Sequence, residues 1–366
     1  MDVEDDWLES ARAALAADAD RGDAPQTTAG LELTTVTMTS ATFHSGLAVT
    51  VLDGLEPARE YQHGGIRFTT LPRLGGRLHC RLATVNDVHF GEVEAGRLAA
   101  SDLGPIQRRQ PGAAPYPDVM NRSAVAEMVM SETSHGALAA VVVKGDLSSD
   151  GTAEEFAAFE ACYRTAFNDR LHVVRGNHDA YQGQTAYAGD SWIELPGTVV
   201  ALMDTVVPYH SGGGLAPEQL DWLDAHAASA TDPVVVMGHH PMFLNAPGDN
   251  PEFIISPDDS AALDTIFARC DAIVAYTAGH THRHRVQHTP SGTPHIEVGC
   301  VKDFPGTWAE YQVYDRGILQ IVHRMSSPDA LAWSEQCRGL YAEFGINYTE
   351  YGLGRLEDRC FPIPIR

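Results

Sequence analysis

Five short segments of the 366-residue chain carry side chains able to bind divalent metal ions: Asp87-Val88-His89, Gly145-Asp146, Gly176-Asn177-His178-Asp179, Gly238-His239-His240 and Gly279-His280-Thr281-His282. Together they hold the inventory of a two-metal hydrolytic centre. Such a centre needs neutral imidazole nitrogens, carbonyl or carboxylate oxygens, and one carboxylate able to bridge both ions. A lone Asp-x-His carries little weight, because a chain of this length contains one by chance. The order and setting of the five carry more. Leu171-His172-Val173-Val174 runs into Gly-Asn-His-Asp, and Ala272-Ile273-Val274-Ala275-Tyr276 runs towards Gly-His-Thr-His. Both runs read as buried strands, and ligand sites of open α/β sheets lie beyond the carboxyl ends of the strands.

The elements that must position these residues alternate. Strands are expected over 80–86, 137–144 and 171–175, with helices over 121–133 and 153–166 between them; Val125, Met128 and Val129 share one helical face. Strands over 198–204 and 233–237 flank a helix over 217–227. Ser256-Pro257-Asp258-Asp259 opens a further helix, with an N-cap serine, a proline in the first turn and early acidic residues. Beyond Gly279 the periodicity turns to antiparallel strands at 286–288, 295–298, 310–314 and 318–323. Ahead of all this lie a weakly amphipathic stretch at 7–17, an acidic linker, and strand signals at 33–39, 47–52 and 66–70. Two long irregular stretches, 91–118 and 244–257, start just beyond metal segments and are expected to wall a substrate pocket.

The set, order and spacing of the motifs resemble the calcineurin-like metallophosphoesterase superfamily over about residues 78–324. Gly145-Asp146-Leu147-Ser148-Ser149-Asp150-Gly151, Glu154-Glu155-Phe156 and Glu218-Gln219-Leu220-Asp221-Trp222-Leu223 are similar to its class III cyclic-nucleotide phosphodiesterase branch. Ser149 stands where purple acid phosphatases carry a tyrosine, and Ser149-Asp150-Gly151 where protein phosphatases carry Asp-Arg-Gly. The resemblance implies a four-layer α/β sandwich, two mixed sheets flanked by helices, here with a small N-terminal β-module. It implies that Asp87, His89 and His282 hold one divalent ion, that Asn177, His239 and His280 hold a second, and that Asp146 bridges them. The implied reaction is attack of a metal-bridging hydroxide on a small phosphodiester, with a 3′,5′-cyclic nucleotide as first candidate. A broad-specificity phosphomonoesterase or glycerophosphodiesterase is the alternative. A non-enzymatic scaffold is disfavoured because the ligand set is complete.

His178 follows the ligand Asn177 and is expected to be the general acid for the leaving alkoxide, oriented by Asp179; a purely supporting role for His178 is the alternative. His240 and His284 read as hydrogen-bonding support or solvated residues, Arg175 as a loop brace or a phosphate contact, and His79, His172 and His295 as ordinary strand histidines. Nitrogen and oxygen ligands suit Mn, Fe or Zn first, with Co and Ni also compatible.

Composition narrows the class. Hydrophobic content of 44% and charged content of 20% describe a globular protein, and a formal charge of −24 opposes binding to long nucleic acid. The longest apolar runs fall short of the ~20 residues that cross a bilayer. The acidic Met1-Asp2-Val3-Glu4-Asp5-Asp6 does not read as a secretory signal, so a cytoplasmic location is expected. The six cysteines, at 80, 162, 270, 300, 337 and 360, form no Cys-x-x-Cys pair; whether Cys337 and Cys360 are bonded stays open. The expected organisation is an N-terminal helix and linker (1–28), a small β-module (29–76), a catalytic domain (77–326) and a C-terminal extension (327–366). Residues 54–70 resemble the later strands of fibronectin type III modules; the module could contribute a homo-oligomer interface, or be only an irregular extension.

Overall fold

The computed structural model describes residues 3–20, 27–28, 30–96, 107–108 and 115–365. Two six-stranded sheets face each other between two helical layers. In the first, the strands Leu171–Val174, Ala140–Lys144 and Leu78–Val85 run parallel. Thr307–Tyr314, Gly317–Arg324 and Cys360–Pro364 then extend it antiparallel. In the second sheet Thr198–Leu202, Val234–Met237, Ile273–Ala278 and Pro294–Glu297 run parallel, with Ser191–Leu195 and Arg285–His288 as antiparallel edges.

Strand alternation makes the layers. Leu82, Val142 and Val174 on the first sheet meet Leu202, Val235, Met237 and Ile296 on the second, forming the inter-sheet core. Ala83, Val85, Val141 and Val143 point the other way, to helices Tyr116–His135, Ala153–Phe167 and Pro328–Cys337. Val199, Ala201, Val234 and Val236 likewise face helices Pro217–Ser229 and Pro257–Arg269. Because both faces of each central strand are covered, these strands read as continuous apolar runs. The result is the expected four-layer sandwich. The Ser256 hydroxyl accepts from the Asp259 amide at the start of its helix, as its position predicts.

The N-terminal strands differ in detail. Leu31–Val36, Ser40–Ser45 and Ala48–Asp53 form an antiparallel sheet, and Glu60–His63 pairs with Ile66–Thr69. The single strand expected over 33–39 ends early because the Thr37 hydroxyl accepts from the amides of Thr39 and Ser40 and turns the chain. Leu33, Phe43, Ile66 and Phe68 pack on Leu319, Ile321, Leu356 and Cys360. The C-terminal residues thus do two things periodicity did not reveal: they complete the first sheet with Cys360–Pro364 and seat the small β-sheets on it.

A helix spans Val3–Asp20, longer than the stretch at 7–17. Linker residues 21–26, and 97–106 and 109–114 of the 91–118 stretch, lie outside the described residues. All six cysteines are free thiols, which answers the question left open for Cys337 and Cys360. Among the described residues no helix is long and apolar enough to cross a membrane.

Candidate metal centre

All five metal-binding segments leave the carboxyl ends of parallel strands, three in the first sheet and two in the second, at one rim of the sandwich. The turns are tight. Asp87, His89, Asp146, His280 and His282 have φ of 53°, 46°, 51°, 68° and 55°, the left-handed region that side chains with a Cβ avoid. They are five of the eleven such non-glycine residues among those described, and strain of this kind gathers where geometry serves a site. Gly176 permits a close approach between two of these turns: a Cβ there would lie 2.2 Å from Asp146 Oδ1.

Asp146 sits at the centre. Its Oδ2 lies 3.3 Å from His89 Nε2, and its Oδ1 lies 3.4 Å from His239 Nε2 and accepts from the His178 amide. Asp87 Oδ1 lies 3.5 Å from His282 Nε2, and the carboxylate accepts from the His280 amide. Ligand atoms of Asp87, His89 and His282 fall within 4.8 Å of one another, as do those of Asp87, Asp146 and His239, and those of His239, His240 and His280.

The donor set tests whether a cation fits. The carbonyl of Lys144 can only accept, so His239 Nδ1, 2.9 Å away, carries a proton and donates it. In the neutral ring, Nε2 is then a lone pair, and it points at Asn177 Oδ1 at 2.9 Å. The Asn177 amide nitrogen donates to Tyr181, which fixes its oxygen towards the site. Nε2, Asn177 Oδ1 and Asp146 Oδ1 are therefore three acceptors aimed at one another, and only a cation or an added proton relieves that. Burial disfavours charge on His239, yet Asp146 and Asp87 outweigh it and raise its pKa to about 9. His89 makes the same point differently: it is buried with both ring nitrogens lacking a hydrogen-bond partner. Burial, then the His178 charge, lowers its pKa, while burial and His239 push His280 down to about 3. Neutral imidazoles are the form that binds metal. The residues fit a pair of divalent ions.

His178 donates from Nδ1 to the Ser149 carbonyl at 2.8 Å, leaving Nε2 as its remaining nitrogen, and its ring packs on His89 and Tyr181. Asp179 requires a correction. Both its oxygens are taken by other donors: the amides of Leu147, Ser148 and Gly176 and the Ser148 hydroxyl. It ties the Asp146 turn to the Asn177 turn, and Ser149 rather than Asp179 orients the His178 ring. Burial, then the Asp146 charge, raises its pKa to about 6.

His240 is saturated by Thr205 and the Ser211 carbonyl, and His284 by Thr307 and the Gly299 amide. Arg175 braces Asp204 and the Gln184 carbonyl. His295 accepts from the Met242 amide, and His79 pairs with Asp315. Two supports escaped sequence reasoning. Asn86 donates to Asp87 and to the carbonyls of Val298 and Gly299; Lys144, fully buried, donates to Thr277 and the Ala278 carbonyl. The one available signal was a lysine ending the apolar run Val141-Val142-Val143.

A cavity of about 810 Å³ opens on the centre and is lined by Asp146, Asn177, His178, His280 and His282. The 244–257 stretch contributes Asp249 and Phe253, and the 91–118 stretch Glu92.

With this geometry in place, the profile of the calcineurin-like phosphoesterases matches residues 80–284, more than half of the chain. The chain belongs to the calcineurin-like phosphoesterase family. The matched region contains all five segments. A Synechococcus sp. protein named a probable cyclic nucleotide phosphodiesterase is 25% identical over 161 residues, covering 40% of this chain and 59% of its own. One of the same name from Rhodococcus erythropolis is 27% identical over 156 residues, covering 39% and 51%. The match thus spans between half and three-fifths of the length of these curated relatives. A dimetal phosphatase from Danio rerio superposes with a TM-score of 0.52 at 15% identity, over 68% of this chain and 97% of that one. That likeness establishes the shared fold.

Proposed function

We propose that the chain is a dinuclear metal-dependent phosphodiesterase hydrolysing a small phosphodiester, with a 3′,5′-cyclic nucleotide as the first substrate to try. The observation that carries the reading is the set of acceptors gathered around Asp146, together with a buried His89 whose ring nitrogens lack partners, which bound cations would satisfy where a phosphoryl group would enter. In this reading Asp87, His89 and His282 hold one ion, Asn177, His239 and His280 the other, and Asp146 serves both. Mn, Fe or Zn are the proposed occupants. When bound, two such ions supply Lewis acidity to the phosphoryl oxygens and make water nucleophilic near neutral pH.

The chain's own residues do the rest. Lys144 O fixes the His239 tautomer, Tyr181 fixes Asn177, and Asn86 fixes Asp87, so the donors are pre-aimed. His178, held by Ser149, places Nε2 to protonate the leaving oxygen. Support for a cyclic-nucleotide substrate comes from the names of the two relatives. The division of the chain at residues 28, 76 and 326 belongs to the same proposal, with Cys360–Pro364 of the C-terminal extension lending a strand to the first sheet of the catalytic domain. The deciding experiment is metal analysis of the purified protein with kcat/KM measured on cyclic nucleotides, a bis-aryl diester and the matching aryl monoester. Diesters are expected to win; a monoester preference above about tenfold, roughly 1.4 kcal/mol in transition-state binding, selects the phosphomonoesterase instead.

A further inference from the structure

The cavity is larger than phosphorus chemistry alone requires, falling in the range of about 300–1,000 Å³ typical of pockets that enclose whole small molecules. Besides the metal-binding turns it is lined by Trp7, Tyr341, Tyr348 and Tyr351, none of which belongs to the five motifs. The Trp7 ring lies 4.6 Å from Tyr341 and 5.9 Å from Tyr351, and Tyr348 stacks on Tyr351 at 6.0 Å. Tyr348 and Tyr351 are buried, whereas Trp7 and Tyr341 are half-buried and keep surface free. Beside the rings, Arg283 lies over Tyr351 at 5.5 Å and is locked on Glu297 by two hydrogen bonds, giving the wall fixed polar groups.

Trp7 is held there by the whole N-terminal helix. Leu8, Ala11 and Ala14 are buried, and the Arg12 guanidinium donates twice to the Phe344 carbonyl, at 3.1 and 2.6 Å. The helix also presses on the 244–257 stretch at Gly248, where a Cβ would come within 2.6 Å of the Ala14 Cβ. A helix gripped from two sides that delivers an indole into the cavity is a wall of the site.

We infer that Trp7 and Tyr341, backed by the buried Tyr351, form a specificity site for a planar aromatic substituent of the phosphoester, a nucleobase or an aryl ring, and that the N-terminal helix is part of the substrate pocket. The inference rests on the phosphoesterase reading above and names the substrate class of that site. Flat faces beside fixed polar groups suit stacking with edge recognition, and losing one stacking partner for a base costs about 10- to 100-fold.

The test compares a nucleoside 3′,5′-cyclic phosphate with the base-free ribose 3′,5′-cyclic phosphate, and a bis-aryl with a dialkyl diester, on the metal-loaded enzyme. Wild type should prefer the aromatic member of each pair. Trp7→Ala should lower kcat/KM on that member by about 10- to 100-fold, mostly through KM, and by at least tenfold more than on the base-free partner; Trp7→Phe should recover most of the loss. A deficit confined to nucleosides or to aryl esters tells which ring the site takes. An equal loss on both members, or a wild type indifferent to the ring, overturns the inference. If diesters are not turned over but monoesters are, the diester reading has failed, and aryl against alkyl monophosphates carry the same comparison. Fluorescence adds a readout free of turnover: quenching by a nucleoside 5′-monophosphate should be weaker in Trp7→Phe than in wild type, and equal quenching or none counts against the site. Tyr341→Ala, outside the helix, repeats the test should Trp7→Ala disturb folding.

Discussion

Asp146 meets two opposed demands. It is buried where charge is disfavoured, yet burial is outweighed by His239 and His178, which hold its carboxyl well below the usual range. A neutral amide cannot offer an oxygen to each of two cations. Asp146→Asn should therefore lose activity and both ions, as metal analysis would reveal; a variant keeping two tight ions and a near-normal rate would sink the bridging assignment. His178 separates from the ligands by chemistry. His178→Ala should keep both ions but lose about 10²–10⁴-fold in kcat on alkyl or ribosyl leaving groups, and much less on nitrophenyl esters, which need no proton. A uniform loss across leaving groups would mean that the ring supports the site instead of donating to it.

At the scale of elements, the turns after the strands carry the constraint. In Gly176→Ala the new Cβ meets Asp146 at 2.2 Å from Oδ1 and 2.3 Å from the backbone nitrogen, so one turn must move away from the other. A loss of about 1–3 kcal/mol in denaturant stability is expected, with weaker metal binding in a calorimetric titration. On the strand Ser40–Ser45, His44 is buried between the Thr34 hydroxyl and the Met325 carbonyl, where the small sheet meets the large one. Burial, then the Arg324 charge, lowers its pKa from 6.5 to about 3. The unfolded chain takes up this proton first, so the stability contributed by the neutral ring is complete above about pH 6.5 and lost as pH falls towards 3. The slope in that window is about 1.4 kcal/mol per pH unit. His44→Gln should flatten it, as unfolding titrations from pH 7 to 4 would register; an unchanged slope would assign the acid sensitivity to other groups.

At the scale of the whole molecule, ions at the rim would add a bond between two sheets that otherwise meet through an apolar core and a few buried hydrogen bonds such as those of Lys144, because Asp87, Asp146 and Asn177 come from the first sheet and His239, His280 and His282 from the second. Chelation should therefore lower the melting temperature as well as abolish activity. Ligand linkage gives about 2.7 kcal/mol for each site held at a hundredfold excess over its Kd. Calorimetry before and after chelation, with metal add-back, measures it. An unshifted transition would mean that the sheets do not depend on the centre.

The amino-acid sequence alone determined the family, and with it metal-dependent phosphoester hydrolysis, and most of the frame. Metal-binding side chains at the ends of apolar runs are legible because burial on both strand faces leaves continuous hydrophobicity, and helical faces repeat every three to four residues. Such signals are local. They could not show that Asp179 turns to the Leu147 and Ser148 amides instead of the adjacent His178, since neighbours in sequence point in different directions from a turn. Nor could they show that residues 360–364 supply a strand to the first sheet, where Pro362 and Pro364 weaken the strand signal and an edge position tolerates them. The meeting of Trp7 with Tyr341 and Tyr351 is the clearest case. It joins residues more than three hundred apart, and contacts of that kind arise when the finished sandwich brings both ends of the chain to one cavity.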